Sequence, residues 1–181
     1  YASAGIPRVV VPVQMVEPAA IPRLTQGEEI GSKPTLARLS NGEFLALRSF
    51  YMDTAIALAA VSEAYAVLVD GKLIGCFAFS TAPSVSGFDD SAYIYVMTDF
   101  AISGTDYPRL SKLVLYALLS KEAKLLAERL ARHRVRRIYT TAFARNPVSM
   151  KYRGMLELVT RRENKDTGEG ALERKWKPGD E

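Results

Sequence analysis

The pair Asp70-Gly71 constrains this chain more than any other stretch, because it stands between two β-rich runs: Tyr65-Ala66-Val67-Leu68-Val69 and Leu73-Ile74-Gly75-Cys76-Phe77-Ala78-Phe79. A two-residue connection between antiparallel strands needs positive φ at its central positions, and Asp and Gly tolerate it, so the spacing predicts a hairpin. A Ser-rich polar loop (Ser80 to Ser91) leads into Ala92 to Ile102, apolar enough to be a third, central strand. Pro108 then stands where a helix begins, since its missing N–H costs nothing in the first turn. Leu110, Leu113, Val114, Ala117 and Leu118 recur at helical spacing, and the pattern predicts one long helix ending by His133. Val135 to Ala142 reads as the next strand. A crossover of about thirty residues carrying a helix joins parallel strands, so a parallel pair is expected beside the antiparallel hairpin. The fold class is therefore α/β (α+β): a mixed sheet with helices on both faces.

The flanks are read with less regular patterns. Residues 1–40 mix Val9, Val10, Val11, Val13 and Val16 with five prolines, which predicts an edge strand followed by an extended arm. Ser40 and Asn41 before Gly42-Glu43-Phe44 form a helix cap, with the helix running through Leu47. A second apolar segment, Ala55 to Val61, follows Asp53. Asn146 to Tyr152 is expected as a short helix ended by Gly154, and Met155 to Thr160 as the last strand. The expected division is an arm over 1–40, one domain over 41–162 and a loosely ordered polar tail over 163–181, apart from Trp176.

Composition excludes several chemistries. One cysteine (Cys76) rules out an internal disulfide and a cysteine-based zinc site, and one histidine (His133) rules out His-rich metal centres. No run approaches the ~18 apolar residues that span a bilayer, and Tyr1 to Gly5 does not read as a signal peptide, so a cytoplasmic location is expected. The charge is unevenly divided. Residues 1–104 hold 6 Lys/Arg against 10 Asp/Glu, and residues 105–181 hold 18 against 10. The basic half is therefore where an anionic partner would bind, although such clusters are also common as solvated helix faces.

Four places offer chemistry. The helix start at Tyr107-Pro108-Arg109-Leu110-Ser111-Lys112 presents amide donors and a positive dipole end, with two cations beside it, which suits a phosphate. An ordinary capped helix with basic residues on its open face is the plainer alternative. Asp99 lies inside an apolar strand, where a carboxylate is either structurally paired or part of a functional site. Tyr152 follows the strand expected to lie beside that of Asp99, close enough to protonate a leaving group across the gap, or else simply to pack. Tyr51 and Asp53 form a smaller polar cluster.

The succession of hairpin, central strand, phosphate-binding helix, parallel strand and Asn…Tyr helix over about residues 42–162 resembles the Gcn5-related N-acetyltransferases. That resemblance implies acetyl-CoA or another acyl-CoA, with contacts from Phe100, Ala101, Ile102, Arg109, Leu110, Ser111, Lys112, Asn146 and Ser149. Arg109 to Val114 keeps the arginine of the family's phosphate loop and neither of its glycines. Asp99-Phe100-Ala101-Ile102, Tyr107 to Leu113, and Thr140-Thr141-Ala142-Phe143 with Asn146 to Gly154 resemble, more narrowly, the phage Mom-type DNA modification proteins. This implies conversion of adenine's exocyclic amino group in double-stranded DNA to a carbamoylmethyl amine, protecting phage DNA from restriction. Asp99, Tyr152, Tyr51 and Asp53 are then the catalytic candidates.

A DNA substrate also accounts for the basic half, since a flipped base costs a few kcal/mol that phosphate contacts offset. The candidates for those contacts are Arg134, Arg136, Arg137, Arg145, Lys151, Arg153, Arg161 and Arg162. A metal in such a chain would take Tyr and Asp/Glu oxygens, a donor set that suits iron(III) or another hard cation. Two alternatives stay open: a conventional N-acetyltransferase acting on a protein or small amine, and a non-catalytic nucleic-acid-binding module of the same fold.

Overall fold

A computed structural model describes residues 21–31, 33–52, 60–81, 92–143, 152, 154–161 and 169–175. In chain order the elements are β1 (Pro34–Leu39), α1 (Asn41–Tyr51), β2 (Glu63–Val69), β3 (Lys72–Ser80), β4 (Tyr93–Ala101), α2 (Leu110–Leu118), α3 (Lys121–Ala131), β5 (Arg137–Phe143), β6 (Glu157–Arg161) and β7 (Glu169–Lys175). The strands form a seven-stranded sheet in the order β1-β2-β3-β4-β5-β7-β6. All neighbours are antiparallel except β4 and β5, which are parallel, as the crossover length requires. No helix among the described residues is long and apolar enough to cross a membrane.

The hairpin forms where Asp70-Gly71 predicts it. Both residues take positive φ (52° and 75°), the pair of conformations that lets a two-residue turn follow the strand twist. Ser40 caps α1 through a reciprocal capping box with Glu43, and the helix continues past Leu47 to Tyr51 because Phe44, Leu47 and Arg48 keep a buried stripe at helical spacing. Helices cover both faces of the sheet. Phe100 of β4 meets Phe44 of α1 (ring centroids 6.1 Å apart), so its face is the α1 face. Gly75 of β3 meets α2 on the other: a Cβ there would lie 2.3 Å from the Phe100 carbonyl oxygen and 2.4 Å from Val114 Cγ2. Only glycine lets α2 come this close to the sheet.

Three expectations change. The single long helix is two, because Ser120 breaks it: its hydroxyl donates to the Ala117 carbonyl (2.6 Å) and accepts from the Ala123 amide (3.2 Å), closing α2 and capping α3. The part of the arm expected to be extended after its edge strand ends in a strand of its own: Pro34–Leu39 is the edge strand β1, with proline at its first residue where no ladder donor is needed. The tail is not simply loose. Glu169–Lys175 inserts as β7 between β5 and β6, pairing over seven residues with β5. Its polar composition conceals a strand whose bonds come from the backbone groups of its two neighbours. The expected strand over Val9 to Val16, most of the segment Ala55 to Val61, most of the Ser80 to Ser91 loop, most of the Asn146 to Tyr152 helix, and Trp176 lie outside the described residues.

Candidate active site

The site arises from a mismatch in strand pairing. β4 and β5 pair only from Tyr93↔Arg137 to Val96↔Thr140. Beyond that point β4 continues to Ala101 along β3, while β5 continues to Phe143 along β7. The strands part, and a wedge opens between Met97–Ala101 and Thr141–Phe143. A bulge helps to open it: Ala78 pairs with Thr98 and Phe79 with Val96, so Met97 is the extra residue on β4. At the apex the two strands are tied by side chains, with Thr140 Oγ1 donating to the Val96 carbonyl (3.0 Å) and the Tyr95 hydroxyl donating to Thr141 Oγ1 (2.6 Å).

Asp99 and Tyr152 meet across this wedge. The Tyr152 hydroxyl donates to Asp99 Oδ1 at 2.7 Å, and the residues are 4% and 7% exposed respectively. Asp99 is opposite the fully buried Phe77 in the β3–β4 register, which places it on the α2 face and beside apolar surface. Burial pushes the Tyr152 hydroxyl well above its ordinary pKa of 10, and the neighbouring Asp99 charge and hydrogen bond push the same way; the Thr140 hydroxyl opposes them. Tyr152 therefore stays protonated across the neutral range, as a donor. The hydrogen bond makes Asp99 and Tyr152 one unit.

The other sequence candidates separate. By antiparallel alternation, the Ile102 amide donates to the Ile74 carbonyl (3.0 Å), so the main-chain groups of Phe100 and Ile102 serve β3, whereas those of Asp99 and Ala101 are directed toward the wedge. The Phe100 and Ile102 side chains are buried. Ala101 is thus the residue of the three whose backbone is directed toward the wedge. Tyr51 reaches β4 through its ring, which stacks on Phe100 (6.4 Å, 28°) on the opposite face from Asp99. Asp53, Asn146, Ser149, Arg145, Lys151, Arg153 and Arg162 lie outside the described residues, as does the side chain of Arg161.

The start of α2 lies at the wedge end of β4. Two contacts from residues 27–30 hold the loop before it: the Gly27 amide donates to Asp106 Oδ2 (2.7 Å) and the Ile30 amide to the Tyr107 hydroxyl (3.1 Å). Arg109 occupies the N-cap position with no side-chain cap bond; the Lys112 amide donates to its carbonyl (2.9 Å), which leaves the Leu110 and Ser111 amides to meet an outside acceptor. Arg109 is exposed, Ser111 and Lys112 are half-buried, and Leu110 is buried, so Leu110 can contribute only its amide. An uncapped helix start and a strand wedge fit a phosphate-bearing cofactor with an extended arm. A metal does not find the same support, as no group of three His, Cys, Asp or Glu side chains is placed to hold one among the described residues.

Arg134, Arg136 and Arg137 sit at the turn from α3 into β5, with Arg134 and Arg136 exposed. The Arg136 amide donates to the Ala92 carbonyl (2.7 Å), and Ala92 lies seven residues before Asp99 in the run that leads through β4. At ~3.3 Å per residue that is about 23 Å, so these arginines mark the opposite end of the sheet. Sequence reasoning missed the Tyr95–Thr141 tie, the Thr140 contact and the Met97 bulge. None has a local signal, since each depends on which strands become neighbours.

The sequence matches the family model described as "Phage GNAT-like domain" over residues 31–175. No curated protein matches it. Among solved structures, a probable acetyltransferase from Staphylococcus epidermidis is similar, with a TM-score of 0.52, 11% identity, and coverage of 79% of this chain and 99% of that one. Naa50 of Arabidopsis thaliana, in complex with the bisubstrate analogue CoA-Ac-MVNAL, gives 0.53 at 10% identity, covering 79% and 99%. An acetyl-CoA-bound GNAT acetyltransferase from Elizabethkingia anophelis gives 0.50 at 10% identity, covering 81% and 100%. At these identities the structures establish the fold, a Gcn5-related N-acetyltransferase sheet parted between its two parallel strands. With the family match spanning most of its length, the chain belongs to the phage GNAT-like domain family.

Proposed function

We propose that the chain is a transferase that modifies an amino group with the aid of an acyl-CoA, the amine replacing the coenzyme A thiol at the acyl carbon, and that this group is the exocyclic amine of adenine in DNA, the acceptor that the Mom-type proteins modify. The observation that carries the transferase reading is the buried Tyr152–Asp99 hydrogen bond in the strand wedge. Adenine's amine is a weak nucleophile because its lone pair is delocalised into the ring, so a positioned proton acceptor is needed. Asp99 supplies that acceptor. Tyr152, held protonated by burial and by the Asp99 charge, fixes the carboxylate's orientation and keeps one proton at the point where negative charge develops.

Acetyl-CoA or another acyl-CoA supplies a thioester-activated carbonyl when bound. The amides of Leu110 and Ser111, with the charges of Arg109 and Lys112, would hold its pyrophosphate, and the backbone of Ala101 would hold its extended arm. The DNA acceptor is supported by the Mom-like wording of the motifs and by the basic excess of residues 105–181. A cytoplasmic location goes with that substrate.

Mass analysis of nucleosides from the DNA of cells expressing the chain tests this reading, with Tyr152→Phe as the control. A modified deoxyadenosine that disappears in the control is expected. Unmodified DNA accompanied by acetylated protein or amine would refute the DNA acceptor. That outcome belongs to the second reading, conventional acetyl transfer, which is favoured by the similarity to a structure holding a CoA–peptide bisubstrate analogue.

A further inference from the structure

The last turn of α1 carries an aromatic side chain that the core does not use. Phe44, Leu47 and Arg48 turn inward, but Phe50 is 69% exposed. It is nevertheless held in place: its ring meets Tyr51 edge-on (4.8 Å, 75°), and Tyr51 in turn stacks on Phe100. The guanidinium of Arg23 lies over both rings, 5.0 Å from Phe50 and 5.7 Å from Tyr51. Arg23 is fixed by its backbone neighbours, since Leu73 donates to the Pro22 carbonyl (2.8 Å) and accepts from the Leu24 amide (3.3 Å). Among the described residues no carboxylate lies within salt-bridge distance of Arg23. The exposed Phe50 ring and the Arg23 cation that lies over it thus share one patch of surface.

We infer that Phe50, Tyr51 and Arg23 form a platform on which a nucleobase of the DNA strand stacks while the attached phosphate meets the Arg23 charge. A planar ring bearing an anion satisfies both halves of the patch, whereas an acidic peptide would satisfy only the cation. The position supports this occupant. Arg23 runs beside Leu73, two residues from Gly75, which pairs with Ala101; Tyr51 rests on Phe100, the residue next to Asp99. The platform and the dyad therefore lie at the same end of β4, on its two faces. A strand opened to bring an amino group to Asp99 leaves neighbouring bases without a stacking partner, and the platform supplies one. This inference rests on the DNA reading above.

The test is binding of a fluorescently labelled deoxyoligonucleotide of about twelve nucleotides to the full chain, followed by anisotropy, beside a strand of equal length made of abasic units. Phe50→Leu should weaken binding of the base-bearing strand about tenfold and leave the abasic strand unchanged, with Phe50→Trp restoring affinity. Arg23→Gln should weaken both strands and flatten the salt dependence. Melting temperatures should match the unsubstituted chain, because both side chains are exposed. Unchanged binding of the base-bearing strand by Phe50→Leu, or equal loss on both strands, overturns the platform and leaves the DNA acceptor standing. No binding of either strand by the unsubstituted chain overturns both. Competition by coenzyme A that vanishes in Phe50→Leu would assign the patch to the cofactor's adenine and overturn the inference.

Discussion

Substitution of Asp99 and Tyr152, singly and together, gives a decisive measurement because the two side chains form one hydrogen bond at a largely buried position. The bond is 2.7 Å long, between groups 4% and 7% exposed. Hydrogen bonds to charged groups contribute about 1.5–3 kcal/mol, and little of that is screened at such burial. Tyr152→Phe removes the hydroxyl alone and should cost about 2 kcal/mol, since it also leaves the carboxylate with one donor fewer. For a domain of this size each kcal/mol moves the melting temperature by about 2–4 °C, so a fall of about 4–8 °C is expected. Asp99→Asn keeps an acceptor and loses the charge, and should cost less. The double variant should then fall short of the sum of the singles by about 1 kcal/mol, the signature of a direct contact.

Thermal unfolding of the four proteins reads this cycle, and turnover measured on the same samples separates stability from catalysis. Each single substitution should lower turnover by about a hundredfold, with the double little worse, as groups acting as a unit are not additive. The pH dependence gives an independent check. Tyr152 has a raised pKa in the folded protein, so the stability it contributes is complete below its ordinary value of 10 and is lost as pH rises from there through the folded value. Tyr152→Phe should lack that alkaline loss. Coupling below about 0.3 kcal/mol, or full activity in Tyr152→Phe, would refute the account of the dyad.

Gly75→Ala should push α2 off the sheet, since its Cβ would overlap Val114 Cγ2 of α2 as well as the Phe100 carbonyl oxygen of β4; a cost of about 1–3 kcal/mol and weaker coenzyme A binding by calorimetry are expected, and an unchanged melting temperature would contradict the packing argument. Glu28 is held down to a pKa of about 2, chiefly by its hydrogen bond from Lys72 and then by the Thr25 amide. Its contribution is present above the ordinary value of 4.5 and is lost as pH falls toward 2, so Glu28→Gln should unfold with a flatter acid limb than the unsubstituted chain. Arg134→Ala with Arg136→Ala should lower the salt slope of duplex DNA binding by at most about 2, without altering turnover at saturating DNA, because these residues stand about 23 Å along the sheet from Asp99. A loss of turnover at saturation would place them nearer the chemistry than the strand register allows.

What could be read from the sequence is what neighbouring residues decide among themselves. Asp70-Gly71 dictates its turn because positive φ is a property of those two residues, and Ser40 with Glu43 dictates the start of α1 because a capping box spans one turn. The crossover length alone makes β4 and β5 parallel, and the apolar run of β4 makes Asp99 conspicuous. Ser120 was legible in principle as a cap, but the apolar stripe on either side of it masked the break. The tertiary structure decided whatever depends on which distant backbone groups become neighbours. Nothing in Glu-Gly-Ala-Leu-Glu-Arg-Lys marks a strand until β5 and β6 offer their donors and acceptors on either side. The wedge exists because β4 stays with β3 while β5 stays with β7, and the Asp99–Tyr152 pair exists because that wedge brings together two residues 53 positions apart. Local propensity fixes a turn or a cap at once, whereas a buried bond between a carboxylate and a phenol forms only where the packed sheet has excluded water from both.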